Sequence, residues 1–210
     1  MSRALRPPPL TAAGIRGLLA IDDLPHDDVL AAIAGHYGGV AESAADPLDE
    51  AARSLFDVVG MPCDVQAKRL VDVLFLRLGL SPDDRSPDAL LLPTALLTRR
   101  ADPLVISMAG HEIARRAGLE SHVCVAGAES WTAVLDAENC TLVGASPFSG
   151  VDVRASKFHV ACAHETATLL LERIASRGLG RARSCAASLA AAMRSGCRDV
   201  PHCPGHPPRI

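Results

Sequence analysis

The stretch Pro93–Leu119, PTALLTRRADPLVISMAGHEIARRAGL, constrains this chain more than any other. Its second half reads as one helix. Asp102 is a cap, because a short carboxylate accepts from the free amides of the first turn. Pro103 suits the first helical position, where its fixed φ helps and its missing N–H costs nothing. Leu104, Met108, Ile113 and Ala117 recur at helical spacing beside Val105, Ile106, Ala109 and Ala114. Such a wide apolar face needs cover on several sides, so the helix is expected to be central. Arg115 and Arg116 complement the dipole in the last turn, and Gly118 is a left-handed stop.

The rest of the chain must cover this helix with unusual material. It is 49% hydrophobic but only 3% aromatic. Its core is therefore built from Ala, Leu and Val, which favours helix-rich packing. At 210 residues it can bury a proper core in one or two modest domains. A net charge of -3 gives no basic field, so nucleic acid is not an expected partner. No run of about 18 apolar residues occurs, so no membrane span or membrane partner is expected. Pro7, Pro8 and Pro9 interrupt the N-terminus before any long apolar run; no signal peptide is expected, and the cytoplasm is the expected location. The seven cysteines are irregularly spaced with no CxxC pair, as for buried or surface thiols.

In chain order, residues 1–10 read as a flexible arm. Helical patterns follow at Thr11–Ala20, from Asp27 or Asp28 to Gly38, from Asp46 to Gly60, and from Val65 to Leu78 with Gly79 as its stop. A polar loop, Ser81–Pro87, and a short helical or irregular segment, Asp88–Arg100, lead into the central helix. After Gly118 the period changes. Val123–Val125, Ser130–Leu135 and Thr141–Ala145 read as short strands of an antiparallel meander packed on that helix. Helix returns over Phe158–Ser176 and Arg181–Arg194 as an antiparallel pair. A Pro-, Cys- and His-rich tail closes the chain. The expected architecture is α+β, with domain 11–155, a helical hairpin 156–195 and a loose tail 196–210.

From about Val65 to Arg194 the sequence resembles the SirB-type branch of the transglutaminase-like superfamily. The likeness rests on pieces in order: Leu78-Gly79, Ser86-Pro87-Asp88, Leu96 to Arg99-Arg100, Pro103 with Ile106-Ser107, Glu112 with Ala114-Arg115-Arg116, and Gly118-Leu119. Val123 to Gly127, Pro147-Phe148 and Gly150 continue it, and Arg177-Gly178 with the following helix resembles that family's tetratricopeptide-like hairpin. The resemblance implies a papain-like core with a small antiparallel sheet, N-terminal helices and a C-terminal helical hairpin. It also implies a catalytic layout. A Cys at the start of the central helix has its thiol pKa lowered by the helix N-terminus, a His on the next strand takes the proton, and an Asp or Asn orients that His.

The triad positions depart from that layout. The helix start carries Pro103, Leu104 and Val105. Counting back from Trp131, the His position holds Glu129, and Ser146 stands where the Asp is expected. Ser107 and His111 lie one and two turns below the old nucleophile position, four residues apart on one face. With Glu129 and Ser146 they are the candidate lining of a polar pocket. The plainer expectation is that Ser107 bonds back to a helix carbonyl and His111 is exposed or satisfied locally. Glu112 is expected as a solvated charge paired with Arg115 or Arg116, Trp131 as a core or pocket-wall residue, and Cys124 as a buried strand thiol; all three are binding candidates. His159, Cys162 and Glu165 recur on one side of an expected helix. Cys197, His202, Cys203 and His206 cluster in the tail. Metal-binding bundles use ladders of the first kind, but one helix cannot complete a coordination sphere, and the tail spacing is tighter than a usual zinc finger, so no metal or cofactor is expected; a metal protein using the tail is a third possibility. The function expected is a catalytically degenerate transglutaminase-like protein that binds a protein, peptide or small molecule. The alternative is an enzyme that reuses the same cleft for acyl, amide or acid–base chemistry.

Overall fold

A computed structural model of the chain describes residues 25–37, 45–136, 141–145, 158–178 and 180–196. The expected helix Thr11–Ala20, Ser146, the Pro147-Phe148 and Gly150 motif and the Cys/His tail lie outside them. Among the described residues three helices come first: α1 His26–His36, α2 Ala45–Arg53 and α3 Cys63–Val71. A two-residue strand β1, Ser81–Pro82, precedes α4, Leu92–Thr98, and pairs in parallel with β2, Arg100–Ala101. Then come the central helix α5, Pro103–Arg116, and strands β3 Ser121–Ala126, β4 Glu129–Asp136, β5 Thr141–Ala145 and β6 His159–Ala161. Helices α6, Ala163–Arg177, and α7, Gly180–Gly196, complete the α+β fold. Among the described residues no helix is long and apolar enough to cross a membrane.

The α5 ends are built as their residues require. Asp102 accepts from Leu104 N–H at 2.8 Å, with Pro103 in the first turn. At the other end Gly118 takes φ +83°, the left-handed region that an L side chain resists. Gly118 N–H then donates to Arg115 O at 3.0 Å and Leu119 N–H to Ala114 O at 2.9 Å, the paired closure of a Schellman motif. Of the 14 residues of α5, only Pro103, His111, Arg115 and Arg116 escape burial, because α1, α2, α6 and the sheet surround it.

The sheet differs from the expected meander in one strand. Its order is β5-β4-β3-β6, antiparallel throughout. Residues 159–161, expected near the start of a helix, instead pair with the free edge of β3, Val123 facing Ala161 and Val125 facing His159. An open edge offers unpaired backbone groups that a local helix cannot use, and that decides the state of this short segment. Helix α6 therefore starts at Ala163, so His159, Cys162 and Glu165 share no helix; His159 Nε2 instead meets Glu165 Oε1 at 2.7 Å. Two further expected helices are shortened. The one from Asp46 ends at Arg53 and passes through a 3₁₀ turn, Phe56–Val58. The one through Leu78 widens into a π-helical turn, Asp72–Arg77, where Leu78 N–H reaches back to Val73 O at 2.9 Å.

One core runs through these elements. It joins Leu30 and Ile33 of α1, Leu104 and Met108 of α5, Val123 and Val134 of the sheet, and Leu170, Leu189 and Met193 of the last two helices. A smaller cluster, Cys124, Trp131 and Ala133, lies on the other face of the sheet with Phe158 and Val160. Helix α5 meets β4 closely at Gly110. There Thr132 Oγ1 donates to Ser107 O at 2.9 Å, and a Cβ at position 110 would overlap Thr132 Oγ1 and come within 3.1 Å of Leu74 Cδ1. Gly110→Ala is therefore expected to destabilise the chain by about 2 kcal/mol net, overpacking outweighing a helix-propensity gain of about 1 kcal/mol. A chemical-denaturation midpoint equal to or above that of the wild type would refute the close approach.

Candidate functional site

The residues expected to line one pocket part company. Ser107 is buried, and its Oγ donates to Pro103 O at 2.8 Å, the back-bonding expected of a helical serine. Glu129 opens β4 and is exposed. By strand alternation it shares a face with Trp131 and Ala133, away from α5, whereas Thr132 and Val134 face that helix. Ser146 lies outside the described residues. Cys124 sits with Trp131 and Phe158, the two rings edge-on at 5.7 Å, and burial pushes its thiol up to about 12. It is a neutral core thiol, opposite in kind to an activated nucleophile.

The start of α5 is filled. Asp102, Leu104 and Val105 are each 0% exposed. The Asp102 carboxylate is held by Arg173 and Arg177 of α6, the latter with Nη2 2.6 Å from Oδ2. Arg173 Nη2 also donates to Ala128 O, at the β3–β4 turn, at 2.9 Å. Helix α6 thus closes over the end of α5.

His111 and Glu112 belong to a different cluster, two turns further on, where α1 starts. Pro25 lacks a capping side chain, so the first amide of α1 needs an acceptor from elsewhere. Glu112 of α5 supplies it: His26 N–H donates to Glu112 Oε1 at 2.6 Å, placing a carboxylate at the positive end of α1. The other oxygen, Oε2, accepts from Arg115 Nε at 2.9 Å and Nη2 at 2.8 Å. Glu112 does pair with Arg115 as expected, but its side chain is wholly buried, not solvated, because α1 starts directly over it. Burial raises its pKa above the carboxylate range, and the Arg115 guanidinium pulls it back.

The two imidazoles pack edge-on, centroids 4.7 Å apart at 75°. His111 Nδ1 lies 3.0 Å from Ser121 Oγ, and Ser121 Oγ is 3.4 Å from His111 O. One hydroxyl proton cannot serve both contacts. Both are satisfied when Nδ1–H donates to Ser121 and Ser121 donates to the carbonyl, which leaves His111 Nε2 with a bare lone pair. His26 is buried, its Nδ1 is 4.0 Å from Glu112 Oε1, and its Nε2 has no partner. Burial first, then the nearby His111 and Arg115, lowers the His26 pKa to about 3. Burial, with His122 and Arg115, lowers that of His111 to about 4. Both rings are neutral at physiological pH. Arg116 completes the junction, bridging Asp27 of α1 to Asp49 of α2.

Sequence reasoning reached His111 and Glu112 but missed His26. It lies 86 residues from Glu112, and no local pattern links them. The one local signal was Pro25, which leaves a helix start with no side-chain cap of its own. No protein-family model matches the chain, and a search of the curated proteins finds no match.

Proposed function

We propose that the chain is a catalytically degenerate protein of the transglutaminase-like kind, related to the SirB-type branch, and that it acts by binding a protein or peptide. The observation that carries this reading is the filled start of α5. A nucleophile there needs an open, electropositive helix end, and this one holds buried Leu104 and Val105 beneath a carboxylate clamped by two arginines. A long central helix followed by antiparallel strands packed on it is compatible with the family layout. An outer surface supports the binding part. Phe56, Val59, Met61 and Val65 are 57%, 48%, 47% and 38% exposed within one short stretch, where an aromatic-poor chain leaves one of its four phenylalanines in water.

Two measurements test it. The purified chain is expected to hydrolyse or transfer no activated ester or chromogenic amide above the buffer rate. Turnover abolished by Ser107→Ala or His111→Ala would refute the degenerate reading. A partner recovered on the wild-type chain is expected to be lost from Phe56→Asp/Met61→Asp with its circular dichroism unchanged. Equal retention would refute this surface.

A further inference from the structure

Among the described residues, one group of three metal-ligating side chains comes together: His26, His111 and Glu112, with one donor atom of each within 4.8 Å of the others. We propose that these residues bind a divalent transition-metal ion of the zinc type, held between the first turn of α1 and the third turn of α5. The site goes beyond the binding reading above and does not depend on it.

Four observations point the same way. The donor set is two imidazoles and one carboxylate, a set that zinc sites with an open fourth position use. His26 Nε2 is buried without a partner in a side chain only 9% exposed, a cost that an ion at the site would offset. The hydrogen bonds of Ser121 orient the His111 ring and leave its Nε2 lone pair bare. Arg115 holds Glu112 Oε2, and Oε1, which accepts from His26 N–H, keeps a second lone pair on the His26 side. Ser121 and Arg115 thus stand as the outer partners that metal-binding imidazoles and carboxylates need for orientation.

The same groups choose the ion. Calcium and magnesium bind through carboxylate charge and many oxygens, and here a single carboxylate is already shared with a guanidinium. Two neutral imidazoles therefore dominate the affinity, which favours zinc, cobalt, nickel or copper. With bonds near 2.0–2.2 Å, donors sit about 3.4 Å apart, so the most distant pair would close by roughly 1.4 Å, within reach of small side-chain rotations. An ion bound there would pin the start of α1 to α5 across 85 residues of chain.

The test uses the full chain, stripped with chelator, carrying Cys197→Ser, His202→Ala, Cys203→Ser and His206→Ala so that the tail contributes no ligand. Zinc titration is expected to give one equivalent bound, and cobalt to give visible bands without an intense thiolate charge-transfer band. His26→Ala and His111→Ala are each expected to abolish the binding. Ser121→Ala, which keeps all three ligands, is expected to weaken it about 10–100-fold. Pulsed EPR of the copper-loaded background chain counts coordinated imidazoles without any change at the site; two are expected. No bound equivalent, an equivalent that survives both His variants, a thiolate band, or fewer than two imidazoles would each overturn the site.

Discussion

Asp102→Ala is expected to cost about 3–5 kcal/mol of unfolding free energy, the range for breaking a buried ion pair by removing one partner. Asp102 is wholly buried and has three roles. It caps α5 through Leu104 N–H, it pairs with Arg173, and it pairs with Arg177. The cap alone accounts for about 1 kcal/mol. The remainder comes from leaving two guanidinium groups of α6, each less than one-fifth exposed, facing an apolar gap. Asp102→Asn separates the parts. Its amide oxygen still accepts from Leu104 N–H, so it is expected to keep the cap, lose the ion pairs and fall between alanine and the wild type. Urea denaturation measures all three. A loss below about 1 kcal/mol for alanine would mean that only the cap matters.

The second large effect is acid destabilisation of the metal-free chain. Folded, His26 and His111 resist protonation down to about 3 and about 4; unfolded, each takes a proton near 6.5. Between those values the unfolded chain binds more protons, so their stabilising contribution is complete above pH 6.5 and lost as pH falls. Going from pH 7.5 to 5 is expected to remove about 4 kcal/mol for the two rings together. The groups facing them are Glu112 and Arg115 on α5 and Ser121 and His122 on β3, with Asp27 of α1 acting on Glu112. Glu112 acts in the opposite sense. Its raised folded pKa contributes stability below its ordinary 4.5, which is lost as pH rises through the folded value. Protonation of folded Glu112 therefore offsets part of the histidine loss inside this window, and the comparison stops at pH 5 so that ordinary carboxylates stay ionised. Urea midpoints at pH 7.5, 6 and 5 should fall in sequence, and His111→Asn should flatten the slope. Equal midpoints at 7.5 and 5 would contradict the burial of the pair.

Much of the fold was legible because its signals are local. Asp102, Pro103 and Gly118 bracket α5 by cap chemistry and φ preference, and both ends close as those residues require. The strands of the meander lie where alternation put them. Residues 159–161 stand at the head of a helical pattern, and a strand of three residues is too short to show alternation, so the edge of β3 decided their state. The candidate site was legible only in part. Ser107 turned out to be tied to its own helix. Glu129 went to the other face of the sheet, since a period of two sends neighbouring residues to opposite sides.

By itself the sequence determined a buried central helix with defined ends, an α+β class and a core of small aliphatic residues. Each follows from periodicity, capping or composition, which act over a few residues. Tertiary structure alone decided that Glu112 is buried, that it caps a helix starting 86 residues earlier, and that it brings His26 against His111. Those outcomes depend on which helix start lands on which face of α5. That choice is made by packing the whole core, because no local pattern records a contact between segments so far apart.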